Sequence, residues 1–443
     1  MFLKVKRYLG ICFNEFNEGG LKKLSLRILK KVCPGLFTRL NLHASDLRLK
    51  PIELKDLYNQ RFPILTPIPS IMDHDNKEVR VNLLVPGFKS KNVFGGVATA
   101  FIISSMIATK LKAELRIIST DHPSDIKAFY EIIELYSLEK PHKVSYLDVS
   151  ARNEGRSNYI SNSEKDIFIA TIWWTAYLAN NLSIKNKFLY LVQEFEPVFY
   201  PNGDERLLTI ESYSLERSVC FFNTQILQRY FFEQGFIREI NEKLSFQPAF
   251  PLNISRSPIP LKTEREKFKL FFYSRPGTAR NLFYRGIFII DEAFKRGLLD
   301  EKWDVFFCGE DFEKGLSIRN KKVNVLGKMT YLEYFNFITT IDLGLSLMDA
   351  PHPSYPPLDL LSAGAVVVSN HYGYKDEMNF SNNLVLCESD LEHMLDGIKS
   401  ALRIVASPEI RQKNYTDSNY SKSWAGSLDH KLHNLLSELV VDV

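Results

Sequence analysis

Residues 346–370 contain a strand, a loop, a helix and a second strand in close succession. The apolar run GLSLM ends near Met348, and a proline-rich loop follows at 350–357. A helix is predicted to begin near Pro356 and to end at Gly364, because proline is tolerated in the first helical turn and glycine commonly ends a helix. The buried run AVVVS comes next. Two strands joined through a helix in this way lie parallel, so the segment predicts part of a parallel α/β sheet.

The same segment also predicts a site for an anion. A helix N-terminus at the end of a parallel strand presents its positive dipole end and free N–H groups. We expect Asp359 to point from the first helical turn toward the same place. Phosphates on the N–H groups and a ribose hydroxyl on the carboxylate would satisfy both features, which indicates a nucleotide.

Strands and helices alternate along the chain from about Arg80, which is typical of parallel sheets with helices on both faces. A proline-rich stretch at 247–265 interrupts the pattern and is interpreted as a linker. The predicted strands are 81–85, 114–120, 143–149, 166–172, 188–192 and 218–223 before it, and 268–274, 303–309, 323–327, 342–348, 365–370 and 384–387 after it.

The predicted fold is therefore α/β, with two Rossmann-like doubly wound domains facing a central cleft. Ligands in such folds bind outside the carboxyl ends of the strands. The predicted segments are a basic helical extension at 1–79, a first domain at 80–250, a second at 251–425, and a helix at 426–443 expected to pack back on the first domain.

The length of 443 residues exceeds that of a single ordinary core, which agrees with two domains. No apolar run reaches about 18 residues, so a membrane-spanning helix is not expected. The start, MFLKVKRYLG, lacks the long apolar core and the cleavage site of a secretory signal. The five cysteines are scattered without a CxxC pair, as is typical of free thiols in a reducing cytoplasm.

Positive charge is concentrated in residues 1–50, which hold eleven Lys and Arg residues against three acids, whereas the whole chain has a net charge of +4. From Leu21, LKKLSLRILKKVCPGLF places basic and apolar residues at helical spacing. Such a helix can lie on an anionic membrane surface, and a packed helix with a solvated face is the alternative. We expect a cytoplasmic protein, with peripheral contact to the inner face of the cytoplasmic membrane as the hypothesis for this segment. Nucleic-acid binding is not expected, since no recognised motif accompanies the charge.

Four further segments lie at predicted strand ends: VPGFKSKNVFGGVATAF (85–101), LVQEFEPVFYP (191–201), FFYSRPGTARNLFYRG (271–286) and HPSYPPLDLLSAGAVVVSN (352–370). Together they resemble the two-lobed, metal-independent glycosyltransferases of the GT-B fold, and within them the large retaining family four. The resemblance is greatest to bacterial dTDP-rhamnosyltransferases of the WsaF type and covers about residues 50–440. It implies that the second domain binds a nucleotide-sugar donor and the first domain an acceptor.

The resemblance assigns the donor diphosphate to glycines and cations at strand ends. Gly95 and Gly96 stand where the family has a turn that approaches the donor phosphate or the acceptor, and an ordinary turn is the alternative. Arg275 matches an arginine that faces the diphosphate, Arg280 takes the place of a lysine, and Lys328 is a third candidate cation. A guanidinium fork can bind two phosphate oxygens at once, whereas the alternative is a solvated surface side chain.

The family's pair of glutamates eight positions apart is altered here. The second falls on Asp359, which is expected to hold a ribose hydroxyl, and the first falls on Pro351. Losing the first acid removes a usual contact to donor-sugar hydroxyls and leaves room for a 6-deoxy sugar. The residues expected to contact the donor in its place are His352, Ser354, Tyr355 and Pro356. For Tyr355, packing is an equal alternative.

Candidate acceptor contacts follow strands of the first domain. Glu194 and Glu196 could orient or deprotonate an acceptor hydroxyl, and a solvated loop or an ion pair is the alternative. Trp173 and Trp174 begin a helix, and their faces suit a sugar ring, although tryptophans more often belong to a core. The catalytic candidates are Arg275, Lys328 and Glu194.

No metal or other cofactor is expected. Asp73-His74-Asp75 matches a DxD metal motif but precedes the first strand of the sheet, and His430 and His433 have no further ligand nearby in sequence. Two cations and a helix dipole can take over the role of a metal in this fold.

The sequence therefore predicts a glycosyltransferase, with L-rhamnose from dTDP-β-L-rhamnose as the favoured sugar and a growing S-layer or polysaccharide glycan, expected to be lipid-linked, as the acceptor. Retention of configuration is implied by the family alone, and front-side attack assisted by the leaving phosphate is the working mechanism. A homodimer is left open. The alternatives are a nucleotide-sugar 2-epimerase and a non-catalytic glycan-binding or scaffold member of an assembly complex.

Overall fold

A computed structural model describes residues 53–89, 93, 95–154, 158–250, 267–311 and 315–439. The basic segment 1–50 and residues 251–265 of the predicted linker lie outside the described residues. Residues 53–63, the described part of the unit Met1–Pro63, contain helix α1 (Leu54–Arg61), in which no side chain is buried. Within the described ranges, the search for a helix that is both long and apolar enough to cross a membrane finds none.

Ile64–Val443 contains two parallel sheets with helices on both faces. The first lobe consists of β1 (Ser70–Met72), β2 (Arg80–Val85), α2 (Gly96–Lys110), β3 (Glu114–Ser119), α3 (Lys127–Leu135), β4 (Val144–Asp148), β5 (Ile160–Asn162), β6 (Asp166–Ala170), α4 (Trp173–Asn180), β7 (Phe188–Val192), α5 (Asp204–Ser212), β8 (Ser218–Asn223), α6 (Gln225–Glu233) and β9 (Ser245–Phe246).

The second lobe consists of β10 (Phe268–Ser274), α7 (Phe283–Lys295), β11 (Trp303–Gly309), β12 (Ser317–Ile318), β13 (Lys321–Lys322), β14 (Asn324–Gly327), α8 (Tyr331–Ile338), β15 (Leu343–Leu345), α9 (Tyr355–Ser362), β16 (Val366–Asn370), β17 (Leu384–Cys387), α10 (Leu391–Val405) and α11 (Pro408–Thr416). The chain ends with α12 (Trp424–Leu439).

Alternate side chains of each central strand enter separate cores on the two faces of its sheet. In β2, Val81, Leu83 and Val85 pack into one core, whereas Leu84 packs into the other. A strand that is buried on both faces is apolar throughout, which is why these strands read as continuous hydrophobic runs in the sequence.

Both sheets are doubly wound. The first has the order β4-β3-β2-β6-β7-β8-β9, and the second has the order β14-β11-β10-β15-β16-β17. The strand order reverses between β2 and β6 in one sheet and between β10 and β15 in the other. A crevice opens outside the carboxyl ends at such a reversal, so these two positions determine where a ligand can bind.

The described part of the predicted extension is not helical throughout. β1 lies in it and pairs in parallel with β5, which belongs to the first lobe. The guanidinium of Arg152 also donates to the carbonyl oxygens of Ile64 and Thr66. Residues 64–79 therefore belong to the first lobe, because the hydrogen bonds of this segment go to that lobe. The predicted boundary at 79 is wrong.

The C-terminal helix α12 packs on the first lobe although the chain enters it from the second. Its apolar stripe joins the core that includes Val81 and Phe101. The buried residues of the stripe are Trp424, Leu428, Leu432, Leu435 and Leu439, at spacings of three and four residues. The last helix therefore ties the end of the chain to the first lobe.

Replacing Leu432 in this stripe should destabilise the protein. Leu432 is 1% exposed, so Leu432→Ala leaves a cavity and should lower the free energy of unfolding by about 2–5 kcal/mol in a denaturant titration. Glu438→Ala on the exposed face of the same helix is the matched control and should stay near wild type. Equal stability of the two variants would show that α12 does not pack as described.

Candidate active site

A cavity of about 590 Å³ lies between the two lobes, at the carboxyl ends of the strands of both sheets. The first lobe lines it with residues that follow β2, β6 and β7, and the second lobe with residues that follow β10, β11, β14 and β15. Its volume is in the range of ordinary small-molecule sites, about 300–1,000 Å³. The cavity thus occupies the position at which two doubly wound sheets are expected to bind a ligand.

Most of the predicted site residues line this cavity. They are Gly95, Gly96, Glu194, Glu196, Arg275, Arg280, Lys328, His352, Ser354, Tyr355, Pro356 and Asp359. Trp173 and Trp174 are not among its lining residues.

Arg275 comes directly after β10 and is held by an acid that the sequence analysis did not single out. Its Nε lies 3.2 Å from Oε1 of Glu310, which follows β11. Glu310 also accepts from the backbone N–H of Gly277 at 3.0 Å and from the hydroxyl of Thr278 at 3.4 Å. Arg275 also forms a side-chain hydrogen bond with Tyr273, so its five N–H donors are shared between these two partners and any ligand. The position of Glu310 at the end of a predicted strand was the signal that could have revealed it.

Arg280 reaches across the cleft to the first lobe. Its guanidinium carbon lies 4.1 Å from the centroid of the Phe199 ring, a cation–π contact between lobes. Burial lowers the pKa of Arg280, and the charge of Glu194 opposes this effect. Its buried Nε has no hydrogen-bond partner among the described residues. The guanidinium therefore stays cationic at the cavity wall with a free donor.

Lys328 follows β14 and is the most exposed of the three cations. Its backbone N–H donates to Oδ1 of Asp311 at 3.3 Å. Its ammonium makes no hydrogen bond or ion pair with any residue that the structure describes. The second lobe thus places two guanidinium groups and one ammonium around one cavity.

The N-terminus of α9 offers fewer donors than the sequence analysis expected. The helix begins at Tyr355, so Pro356 and Pro357 occupy its second and third positions, where neither residue has an N–H group. The N–H of Ser354 is already donated to Nδ1 of His352, at 3.0 Å. The prediction of a phosphate cradle built from several helix N–H groups is therefore wrong, and the three cations carry the positive charge of the site.

Asp359 lies in the second turn of α9, not in the first as expected. The carboxylate is 8% exposed, and its Oδ2 accepts from the hydroxyl of Tyr334 at 3.2 Å. Burial raises the pKa of Asp359 to about 8, and the Tyr334 hydrogen bond opposes the shift. This acid therefore exchanges a proton near neutral pH. The sequence contains no signal for Tyr334, which reaches Asp359 from another helix.

The side chain of Tyr355 crosses from the second lobe into the first. Its hydroxyl lies 2.5 Å from Oγ1 of Thr99 in α2 and accepts from Nδ2 of Asn223, at the end of β8, at 2.6 Å. Its ring lies against Gly95, where an added Cβ would come within 2.8 Å of the ring and where φ is +46°. Glycine is required at that position for both reasons. The hydroxyl of Tyr355 is thus saturated by the first lobe, and the side chain acts as an interlobe contact.

Glu194 also bridges the lobes. Its Oε1 accepts from the N–H of Phe195 at 2.9 Å and from the N–H of His352, in the second lobe, at 3.1 Å. Burial raises the pKa of Glu194, while these two N–H groups and the nearby ammonium of Lys375 favour the charged form. Lys375 is itself buried and donates to the carbonyl oxygen of Met348 at 2.7 Å, and burial lowers its pKa to about 8. None of the described residues donates a hydrogen bond to Oε2 of Glu194, so this oxygen can accept from a ligand hydroxyl.

Glu196 and the two tryptophans form one packed unit of the first lobe. The carboxylate of Glu196 accepts from the hydroxyl of Tyr190 at 3.1 Å and from the N–H of Trp173 at 2.9 Å. Burial raises the pKa of Glu196 to about 8. Trp173 is 2% exposed and Trp174 packs on the same core. The prediction that Trp173 stacks on an acceptor sugar is therefore wrong, because its buried ring packs against Trp174 and Tyr200, and the half-buried Trp174 lies outside the cavity lining.

Gln193, which precedes Glu194, is a further cavity residue that the sequence analysis missed. Its Nε2 donates to the carbonyl oxygen of Gly96 at 2.8 Å, and its buried Oε1 has no partner in the described part of the chain. Its place at the carboxyl end of β7 was the available signal.

Among the described residues, a search for clusters of three or more His, Cys, Asp or Glu side chains that could hold a metal ion finds none. Asp73 of the DxD motif accepts from the N–H of Asn76 and from the hydroxyl of Ser161, as in an ordinary polar turn.

Asp359→Asn should change how stability depends on pH. The folded-state pKa of about 8 lies above the ordinary 3.8. Between these two pH values the folded protein therefore retains a proton on Asp359 that the unfolded chain has released. Wild-type stability therefore falls as the pH rises from about 4 to about 8, and the amide removes that contribution. The melting temperature of the variant minus that of wild type should be larger at pH 8 than at pH 5. The exposed Asp429→Asn is the control, and a difference that is constant with pH would contradict the assignment.

Tyr355→Phe should weaken the contact between the lobes. The change leaves Thr99 and Asn223 without their shared partner, so the free energy of unfolding should fall by about 1–3 kcal/mol. Tyr284→Phe, at a tyrosine that is 73% exposed in the same lobe, should leave stability unchanged. A denaturant titration in which both variants match wild type would show that the hydroxyl of Tyr355 is not held between the lobes.

Comparisons with known proteins agree with this geometry. Residues 80–225 match the N-terminal domain of WsaF and residues 268–399 match its C-terminal domain. The O-antigen biosynthesis protein RfbC of Myxococcus xanthus is 26% identical over 275 residues, which are 61% of this chain and 21% of that protein. The chain thus spans about a fifth of the length of this curated relative.

Solved structures of low sequence identity share the fold. Anabaena HepE in complex with UDP-glucose superposes with a TM-score of 0.57 at 13% identity and covers 81% of this chain and 100% of its own. Staphylococcus aureus TarM superposes with a TM-score of 0.55 at 10% identity and covers 82% of this chain and 100% of its own. The match to both WsaF domains places the chain in the WsaF family, and its two parallel sheets around one cleft are those of the GT-B fold.

Proposed function

We propose that the protein transfers L-rhamnose from dTDP-β-L-rhamnose to a hydroxyl group of a growing cell-surface glycan. The observation that carries the proposal is the set of three cations, Arg275, Arg280 and Lys328, around one interlobe cavity. A pyrophosphate is the chemical group that satisfies several cations at once. HepE in its complexes with UDP and UDP-glucose supports a nucleoside diphosphate in this position.

The cations would act by stabilising the leaving group. As the bond between the anomeric carbon and the phosphate oxygen breaks, negative charge grows on the pyrophosphate. Arg275 is suited to this role because Glu310 and Tyr273 hold its guanidinium, whose five N–H donors leave some for phosphate oxygens. Cationic side chains can therefore supply the stabilisation for which other transferases use a metal ion, and we propose a metal-independent reaction.

The donor sugar is inferred from what the cavity lacks. Pro351 stands where a carboxylate would otherwise meet sugar hydroxyls, which favours a sugar with one hydroxyl fewer, such as a 6-deoxy hexose. Asp359 is one methylene shorter than glutamate and is already bonded to Tyr334, which favours the single nearby hydroxyl of a deoxyribose.

The acceptor would enter from the first lobe. Oε2 of Glu194 can accept from the attacking hydroxyl and orient it, and the buried position of this acid excludes water that would otherwise hydrolyse the donor. We infer front-side attack assisted by the leaving phosphate, with retention of configuration. Glu196 is less suited to this role, since both of its oxygens are bonded inside the first lobe.

The acceptor class is inferred from the relative and from the charge of residues 1–50. The relative from Myxococcus xanthus is described as an O-antigen biosynthesis protein, which supports a surface polysaccharide as the product. The eleven basic residues of that segment support contact with an anionic membrane surface, where a lipid-linked glycan would be extended in the cytoplasm.

Removing the cations should weaken nucleotide binding. Arg275→Ala and Lys328→Ala each remove a charge-assisted contact of about 1.5–3 kcal/mol, so the affinity for dTDP in calorimetry should fall about ten- to a hundredfold in each variant. Sugar transfer should fall at least as much. Arg285→Ala, at an exposed position of α7, is the matched control.

The same titrations with UDP and GDP test the base. Tighter binding of dTDP supports the proposed donor, whereas tighter binding of UDP or GDP would assign that nucleotide to the donor in place of dTDP. Wild-type affinity for every nucleotide in both cation variants, with the fold intact by circular dichroism, would contradict the proposed function.

A further inference from the structure

His352 presents a single, fixed hydrogen-bond donor to the cavity. Its Nδ1 accepts from the backbone N–H of Ser354 at 3.0 Å. A nitrogen that accepts a hydrogen bond carries no proton, so the proton of the neutral imidazole lies on Nε2. Burial, together with the nearby charge of Lys375, lowers the pKa of His352 to about 3, which keeps the ring neutral.

The N–H donor of His352 has no hydrogen-bond partner among the described residues. Nε2 is buried, His352 as a whole is 3% exposed, and no described residue accepts a hydrogen bond from this atom. A buried donor without a partner costs about 1–3 kcal/mol, so its retention calls for an acceptor supplied from outside the protein.

The backbone around His352 is arranged to hold the ring in place. Ser354 has φ of +71°, a conformation that L residues rarely adopt, and its N–H points to Nδ1. The N–H of His352 is anchored to Glu194 in the first lobe at 3.1 Å, and its ring lies 5.6 Å from the ring of Tyr355. Both lobes therefore fix the direction in which Nε2 donates.

His352 is held differently from the cations that are proposed to bind the nucleotide. Arg275 and Lys328 follow β10 and β14 in the second lobe, whereas the backbone of His352 is bonded to the first lobe. A sugar that is transferred from a nucleotide held by these cations to an acceptor on the first lobe must lie at the junction between the two lobes. His352 lies at that junction, since it lines the cavity and its backbone N–H is bonded to Glu194.

We propose that Nε2–H of His352 donates to a hydroxyl oxygen of the transferred sugar and so determines which sugar the enzyme accepts. This assignment rests on the proposed function, since it requires a nucleotide sugar in the cavity. A neutral N–H donor binds a lone pair of the hydroxyl oxygen, whereas a carboxylate at the same place would bind the proton of the hydroxyl. The site therefore selects sugars by the position of an oxygen that can accept.

Two substitutions separate the two ring nitrogens. The amide oxygen in His352→Asn can accept from Ser354 in place of Nδ1, but the variant loses the donor at the distance of Nε2. The longer side chain of His352→Gln can place an N–H near the position of Nε2 but loses the acceptor for Ser354. His393→Asn is the control, because that imidazole is 65% exposed on α10.

The experiment measures, by calorimetry, the affinities of wild type and variants for dTDP, dTDP-β-L-rhamnose, UDP and UDP-glucose. With the nucleotide that wild type binds, His352→Asn should bind the diphosphate with unchanged affinity and the corresponding nucleotide sugar about tenfold more weakly. His352→Gln should recover part of that loss, and His393→Asn should match wild type.

Equal affinities of His352→Asn and wild type for the nucleotide sugar would overturn the proposal. An equal loss of affinity for the diphosphate and for the nucleotide sugar would also overturn it, since Nε2–H of His352 would then contact phosphate. A wild-type protein that binds none of the four compounds would contradict the proposed function itself, which is a different outcome.

Discussion

The parallel pairing of the strands in both sheets determines where every functional side chain lies. In a parallel sheet all carboxyl ends point to one edge, and in a doubly wound sheet a crevice opens at that edge where the strand order reverses. The chain has two such sheets, and the edges of both face one cavity of about 590 Å³. Arg275, Lys328 and Glu194 come from distant parts of the sequence and line one cavity because each follows a strand within two residues.

Burial is the second constraint, and it acts mainly on the acids. Glu194, Glu196 and Asp359 are each less than a tenth exposed, and burial raises the pKa of all three. Among the cations, burial lowers the pKa of Arg280, whereas Lys328 stays exposed and Arg275 keeps 34% of its side chain accessible. The cavity therefore keeps accessible positive charge, whereas ionising its buried acids is costly.

The two lobes are connected through the loop that carries His352 and Tyr355. Tyr355 bonds to Thr99 and Asn223, and the N–H of His352 bonds to Glu194. The loop belongs to the second lobe by sequence and to both lobes by its contacts. Any separation of the lobes would break these bonds and expose the junction to water, so the geometry for transfer and the exclusion of water depend on the same few contacts.

The sequence predicted the two sheets well, because strands buried on both faces produce long apolar runs and the loops after them carry the polar residues. It also placed most of the cavity residues, since these follow predicted strands. It failed where a tertiary contact decides the outcome. For Trp173 and Tyr355 the sequence left both a ligand contact and packing open, and only the structure shows that the ring of Trp173 is buried and that the hydroxyl of Tyr355 bonds to the opposite lobe. Two prolines at the start of α9 were visible in the sequence, yet their effect on the N–H groups depended on the residue at which the helix begins.

A crystal structure of the protein with bound dTDP tests the central claim most directly. The pyrophosphate should lie in the interlobe cavity, with its oxygens within hydrogen-bonding distance of the guanidinium of Arg275 and the ammonium of Lys328. A nucleotide bound elsewhere, or a pyrophosphate in this cavity that touches neither cation, would contradict it.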